Sequence, residues 1–352
     1  MQNGFQTNLQ RIEANHNKDY IVAIEEESRM STHKVFYFSH APENVYEIIR
    51  EEVPPGFELI SLTEDSDDER KEKLADCEVV IVAARPMTRE FVAAAPALKL
   101  LHHQGVGYQD TVDVAALKER KIALALTPAG TSIGVAEHTL LLALAVCKRL
   151  PYADSELRQG RWHINSLRPV SIELYGRTVG YVGMGRIGQE TAARFKAFGT
   201  AGIYYDPYAA LTPQQENRLG LRRVEFNGLL AAADIITLHV PSGEDTYHMI
   251  DDAAIRQMKP SAIVINTSRG TVIDEAALCR ALQEHRIGGA GLDVFEEEPF
   301  RPDNPLAAMP NVVLTPHISA GTRDALKTKM RALFQNVRRF FNGEELENQV
   351  IL

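Results

Sequence analysis

Gly183, Gly185 and Gly188 are spaced G-x-G-x-x-G, and the residues around them fit one chemical task. An apolar stretch, Thr178 to Val182, leads into the glycines, and a helical pattern, Gln189 to Phe198, leads out. A second apolar stretch, Gly202 to Tyr205, ends on Asp206, eighteen residues past Gly188. Gly183 permits a tight strand-to-helix turn, Gly185 lets the backbone approach a pyrophosphate, and Gly188 lets the helix pack close on the strand. The first helical turn, through Arg186 and Ile187, offers unpaired N–H groups and a positive dipole end to phosphates. Asp206 can accept hydrogen bonds from both ribose hydroxyls, and its charge repels a 2′-phosphate. Strand, glycine turn, helix, strand and acid in that order predict a dinucleotide site, with NAD favoured over NADP. An ordinary glycine-rich turn would explain neither the flanks nor Asp206.

Arg269, Glu298 and His317 form a second set. They follow the expected strands Ala262–Asn266, Gly291–Val294 and Val312–Thr315. Ligands of open parallel sheets bind outside the carboxyl ends of the strands, so these residues share the edge that carries the glycine turn. Thr267, Asp293 and the run His239-Val240-Pro241 fall on the same edge. The set suits hydride transfer to a 2-oxo acid. Arg269 offers a planar fork for the substrate carboxylate and carbonyl. As hydride arrives the carbonyl oxygen becomes an alkoxide, and a positioned acid must protonate it. His317 titrates near neutral pH and can serve as acid in reduction and base in oxidation. Glu298 would orient the imidazole and raise its pKa. Taken singly, each is more simply an ordinary surface or core residue; taken with the glycine turn, they point to catalysis.

The elements that must position these groups alternate. Strands are expected at Val35–Phe38, Phe57–Leu62, Val79–Ala83, Leu98–His102 and Ile122–Thr127, with helices at Asn44–Glu52, Asp67–Asp76, Arg89–Ala94 and Val112–Glu119. A long helix, Gly134 to Leu150, is broken by Pro151 and followed by a polar segment, Tyr152 to Tyr175. Alternation resumes after Asp206, with strands at Ile235–His239 and the three named above and helices at Asp252–Met258 and Glu275–Glu284. The last helix, Thr322 to Phe341, is expected to return to the first domain. The resulting fold is α/β, with two doubly wound parallel-sheet domains and a cleft between them. Residues 34–133 and 319–352 would form one domain and 134–318 the other, behind a disordered extension over 1–33.

At 352 residues the chain can bury two cores, and 45% apolar and 24% charged residues are ordinary for a globular protein. A net charge of −9 argues against nucleic acid as a partner. No segment reads as membrane-spanning or as a signal peptide, and residues 1–33 hold three Lys/Arg against five Asp/Glu, the wrong balance for a transit segment. Cys77, Cys147 and Cys279 lie far apart without C-x-x-C spacing, which fits a reducing, cytoplasmic setting. No His/Cys/Asp cluster has metal-ligand spacing.

Taken in order, Gly105-Val106-Gly107, Val135-Ala136-Glu137-His138, the turn at 183–188, His239-Val240-Pro241, Asn266-Thr267-Ser268-Arg269-Gly270, Gly291-Leu292-Asp293-Val294-Phe295 through Glu298-Pro299, and Leu314-Thr315-Pro316-His317 resemble the D-isomer-specific 2-hydroxyacid dehydrogenase family. The likeness covers about residues 34 to 345. It implies a flavodoxin-like substrate domain and a Rossmann NAD domain, with Arg269, Glu298 and His317 as the catalytic set. It also implies backbone N–H groups at Val106 and Gly107 on the substrate carboxylate, Asp293 on the nicotinamide carboxamide, and adenine-side contacts near His239, Pro241 and Thr246. A basic residue at the place of Arg85 can meet the distal end of the substrate, a small anionic 2-oxo or 2-hydroxy acid. Trp162 matches an inter-subunit arm, and a homodimer is implied. His102 and His103, beside the glycine loop, are lesser substrate candidates.

Two departures stand out. The substrate loop reads Gly107-Tyr108-Gln109-Asp110-Thr111-Val112-Asp113, one residue longer than the common Gly-Tyr-Asp-Asn-Val-Asp. The sequence also ends soon after the last helix, so the regulatory domain of some phosphoglycerate dehydrogenases is not expected. Competing readings are a corepressor sharing the fold and a formate dehydrogenase, although the latter carries glutamine where Glu298 stands. Glyoxylate, hydroxypyruvate, 3-phosphohydroxypyruvate and longer 2-oxo acids all satisfy Arg269 and a glycine loop.

Overall fold

Alternating strands and helices build two parallel sheets, each within its own unit. The structure, a computed structural model, describes residues 32–83, 85–109 and 111–352. Most of the expected N-terminal extension therefore lies outside the described residues, and His33 already belongs to the first strand. In chain order the first elements are β1 (His33–Tyr37), α1 (Glu43–Arg50), β2 (Phe57–Ile60), α2 (Asp67–Leu74), β3 (Val79–Val82), α3 (Arg89–Ala93), β4 (Leu100–His103), α4 (Val114–Glu119) and β5 (Ala123–Leu126). Then come α5 (Thr131–Cys147), α6 (Leu150–Arg158), β6 (Thr178–Val182), α7 (Arg186–Ala197), β7 (Ala201–Tyr205), α8 (Pro213–Leu219), β8 (Leu221–Arg223), α9 (Phe226–Ala232), β9 (Ile235–Leu238), α10 (Asp252–Arg256), β10 (Ile263–Asn266), α11 (Glu275–Gln283), β11 (Gly289–Leu292) and β12 (Val312–Leu314). The chain closes with α12 (Arg323–Phe341) and β13 (Gln349–Val350).

One unit comprises the described residues up to Pro128 together with Lys327–Leu352; the other is Ala129–Leu326. The first sheet runs β13-β5-β4-β3-β1-β2 and is parallel except for β13, which pairs antiparallel with β5. The second runs β12-β11-β10-β9-β6-β7-β8 and is parallel throughout. Its central strands are apolar on both sides because helices cover both faces. Side chains alternate between two cores. Val182, Ile236 and Val264 pack with Leu278 and Leu282, whereas Tyr181, Ile235 and Ile265 pack with Leu142, Val146 and Phe195. The first unit has its own core around Phe36, Val80, Leu101 and Leu124.

Three expectations need correction. Pro151 does not leave an irregular stretch: Arg149 takes a left-handed φ of 54°, the chain turns, and Pro151 sits in the first turn of α6, where its missing N–H costs nothing. Between Asp206 and Ile235 the chain forms α8, β8 and α9, none of which the periodicity marked. A capping box, Thr212 with Gln215, opens α8, and Gly220 at φ 69° ends it. The expected helix over Val112–Glu119 begins at Val114, because the Asp113 side chain caps it by accepting from Ala116 N–H.

Candidate active site

The glycine turn has the form its spacing implies. Gly183 lies at φ 93°, and a Cβ there would sit 2.5 Å from the His239 carbonyl oxygen. A Cβ on Gly188 would sit 2.4 Å from the carbonyl oxygen of Gly183, so the first turn of α7 rests directly on the strand-to-helix turn. At Gly185 nothing lies within 4 Å of an added Cβ, leaving the backbone open to a ligand. No side chain caps α7, so its first N–H groups remain for phosphate oxygens. Arg186 and Ile187 open that helix. Asp206 follows β7 and is 9% exposed. Its Oδ2 accepts from Met184 N–H at 2.8 Å, and its Oδ1 accepts from Tyr208 and Ala209 N–H at 2.9 and 2.8 Å. The carboxylate thus braces the glycine turn and keeps lone-pair capacity on Oδ2 for a ribose hydroxyl. These features fit a dinucleotide.

Along the same edge, β9 delivers the partly buried His239; desolvation of its ring pushes the pKa down to about 3, so it is neutral, and its Nε2 lies 3.1 Å from Thr237 Oγ1. Thr246 donates its hydroxyl to the Pro241 carbonyl at 2.6 Å, closing the loop that follows. After β10, Asn266 donates to the Arg269 carbonyl at 2.9 Å and accepts from Ser268, shaping the turn that presents Arg269. Thr267 points inward, its hydroxyl 2.9 Å from that of Thr139.

His317 Nδ1 lies 2.8 Å from Glu298 Oε2, and Glu298 Oε1 accepts from Phe295 N–H at 3.1 Å. The Glu298 hydrogen bond holds the imidazole above its ordinary pKa, against burial and the nearby Arg269 charge. Burial, the largest single influence, works against charge on Glu298, but the His317 hydrogen bond and charge, the Phe295 N–H and the Arg269 charge together outweigh it, and the carboxyl lies below its usual range. Arg269 is close enough to favour ionised Glu298 and to oppose protonated His317. Arg269, Glu298 and His317 therefore form one electrostatic cluster.

Sequence reasoning did not foresee what holds His317 in place. The residue adopts a left-handed φ of 53°, which costs on the order of 1 kcal/mol for a non-glycine residue and persists only where its surroundings impose it. The surroundings are built around Asp293. Its carbonyl accepts from His317 N–H at 2.8 Å, and its carboxylate accepts from Thr315 Oγ1 (2.6 Å), Ile318 N–H (3.0 Å) and Ser319 N–H (2.8 Å). Asp293 is fully buried; burial opposes its charge, yet hydrogen bonds from His138, Thr315, Ile318 and Ser319 hold its pKa at about 2. Only the arrangement after β11 and β12 have paired brings these groups together.

In the first unit Val106 is exposed in the Gly105–Gly107 loop, beside the end of β4. Arg85 is half-exposed, and its Nη2 donates to both carboxylate oxygens of Asp67 at 2.9 and 3.0 Å. His102 is a core residue: burial pushes its pKa to about 3, Asn336 donates to its Nε2 at 3.0 Å, and Thr127 Oγ1 lies 3.2 Å from its Nδ1. His103 Nε2 lies 3.0 Å from Thr111 Oγ1, in the loop after Gly107. Among the described residues no His/Cys/Asp/Glu group could hold a metal ion.

A doubly wound parallel sheet with a glycine turn, a terminal acid and an arginine, glutamate and histidine along one edge defines a nicotinamide-dependent oxidoreductase. Residues 140–319 match the model of the D-isomer specific 2-hydroxyacid dehydrogenase NAD-binding domain. A glyoxylate reductase of Korarchaeum cryptofilum is 37% identical over 304 residues, 86% of this chain and 88% of that protein. A D-3-phosphoglycerate dehydrogenase of Methanocaldococcus jannaschii is 41% identical over 285 residues, 80% of this chain, which spans about half (53%) of that relative's length. A solved structure of a putative D-isomer specific 2-hydroxyacid dehydrogenase from Polaromonas superposes with a TM-score of 0.82 at 30% identity, covering 91% of this chain and all (100%) of that one. The chain belongs to the D-isomer-specific 2-hydroxyacid dehydrogenase family, and it uses a nicotinamide cofactor.

Proposed function

We propose that the protein interconverts a small 2-oxo acid and its D-2-hydroxy acid with NAD, acting on a substrate of the glyoxylate, hydroxypyruvate or 3-phosphohydroxypyruvate type. The observation that carries this reading is the His317–Glu298 pair at 2.8 Å, with Arg269 beside it on the strand ends. When bound, the nicotinamide supplies a hydride in reduction and accepts one in oxidation. Arg269 binds the substrate carboxylate and carbonyl oxygen. His317 uses Nδ1 for Glu298, so Nε2 is the nitrogen that hands a proton to the forming alkoxide. Glu298 stabilises the imidazolium before transfer.

Gly183, Gly185, Arg186, Ile187 and Gly188 hold the pyrophosphate, and Asp206 takes a ribose hydroxyl and selects NAD. His239, Pro241, Thr246 and Thr267 shape the rest of the cofactor groove, with Asp293 at the carboxamide. Arg85 meets the distal end of the substrate after exchanging its Asp67 partner, a switch that an exposed ion pair permits at about 1 kcal/mol or less. The enzyme works as a homodimer through residues 151–175, which expose Tyr152, Leu157, Trp162, Ile164 and Val170. No helix among the described residues is long and apolar enough to cross a membrane, and the three free thiols are buried; a cytoplasmic location is part of the proposal. A panel of 2-oxo acids with NADH and NADPH, followed by loss of reduced-cofactor absorbance, tests the proposal. Turnover of glyoxylate or hydroxypyruvate with NADH supports it, and inactivity across the panel overturns it.

A further inference from the structure

The motif Val135-Ala136-Glu137-His138, with Thr139 after it, lies on α5, and the reaction described above uses none of it. We propose that His138 and Thr139 are positioning residues, each setting one catalytic loop: His138 that of His317, Thr139 that of Arg269. The inference rests on the assignment of those two residues to the reaction.

Two neighbouring positions on a helix point about 100° apart, so they can serve two different loops. Helix α5 packs on β10, β11 and β12, whose ends carry the catalytic groups. It lies close to β11 because that strand has glycines. A Cβ on Gly291 would come within 3.0 Å of Leu142 Cβ, and one on Gly289 within 2.9 Å of Val146 Cγ1. Short polar side chains on the helix therefore reach the loops directly.

Hydrogen-bond directions follow from proton counting. Thr315 gives its hydroxyl proton to Asp293 Oδ1 at 2.6 Å. His138 Nε2, 2.9 Å from Thr315 Oγ1 and 3.5 Å from Asp293 Oδ1, must then be the donor. Asp293 in turn holds Ile318 and Ser319 N–H, and through its carbonyl His317 N–H. On the other side, Thr139 gives its proton to the Val135 carbonyl at 2.7 Å, so Thr267 donates to Thr139. Thr267 stands two residues before Arg269. Thr139 and Asp293 are fully buried, and water cannot replace these partners without opening the core.

The two arms have different kinetic consequences. His138→Leu removes the donor that orders Thr315 and Asp293, misplaces the acid, and should lower kcat about tenfold or more, with a smaller rise in NADH Kd through Asp293. His138→Gln, which keeps a side-chain N–H donor, should restore most of that loss. Thr139→Val keeps the shape but removes the acceptor of Thr267; it should raise KM for the 2-oxo acid severalfold more than it lowers kcat, with recovery in Thr139→Ser. The double variant His138→Leu/Thr315→Val should be no worse than the more impaired single variant, because both break one chain of bonds. NADH Kd and Tm measured on every variant report that the protein is folded. Equal losses in kcat, KM and NADH binding, or a Gln variant no better than Leu, would overturn the inference while wild-type turnover stands. An inactive wild type would instead remove the proposed function and this inference with it.

Discussion

His317 titrates against two neighbours of opposite effect, and its pH behaviour follows from their balance. Glu298 raises its pKa and Arg269 lowers it, with the net shift upward. Reduction needs the protonated ring, so turnover should hold at low pH and fall as pH rises through the raised pKa. Glu298→Gln removes the charge, so that fall should move to lower pH by one unit for each ~1.4 kcal/mol of interaction lost. His317→Ala should lower turnover by roughly 10²–10⁴-fold. An unshifted profile in Glu298→Gln would break the pairing. Asp206 carries a second residue-scale prediction. Its carboxylate braces Met184, Tyr208 and Ala209, so Asp206→Ala would loosen the glycine turn as well as remove charge. Asp206→Asn keeps the shape and should narrow the preference for NADH over NADPH by about fivefold, the ~1 kcal/mol of a solvent-screened like-charge contact. Wild-type kcat/KM values that are equal for the two cofactors would remove the selective role of Asp206.

At the scale of elements, the loop from Thr315 to Ser319 depends on the buried Asp293 carboxylate. Its pKa is about 2 in the folded chain against 3.8 ordinarily. A depressed carboxyl contributes stability above its unfolded pKa and loses it as pH falls through the folded one. The stability difference between wild type and Asp293→Asn, measured by urea unfolding, should therefore shrink by about 2 kcal/mol from about pH 4 to about pH 2. A constant difference would contradict that role. The sequence shows Asp293 and Thr315 only as strand-end residues, because their meeting requires β11 and β12 to pair first. The glycine turn and the strands ending near Arg269, Glu298 and His317 were legible because long apolar runs and punctuating residues mark them. Strand β8 was not: it has three residues, two of them exposed arginines, and shows no period. Helix α6 was hidden by a proline that reads as a breaker and acts as a first-turn residue. His102 read as an edge residue because the partner that fills its ring nitrogen, Asn336, lies far along the chain.

For the whole molecule, alternating strands and helices made the α/β class readable, whereas the antiparallel β13 was not, being a two-residue strand joined only by long-range pairing. The arm from 151 to 175 leaves Trp162 74% and Ile164 56% exposed, and apolar residues grouped in one segment are candidates for an interface. Light scattering at micromolar concentration should report a dimer, and Trp162→Glu with Ile164→Glu should shift it toward monomer; a wild type that scatters as a monomer would refute the assembly. The central claim is that hydride passes directly to C2 of a 2-oxo acid to give the D-hydroxy acid. Reduction of hydroxypyruvate or glyoxylate with NADH deuterated at the transferring position of C4 tests it. The account predicts one deuterium at C2 of the product, with D configuration at C2 when hydroxypyruvate is used. Unlabelled product, or the L-hydroxy acid, would contradict it.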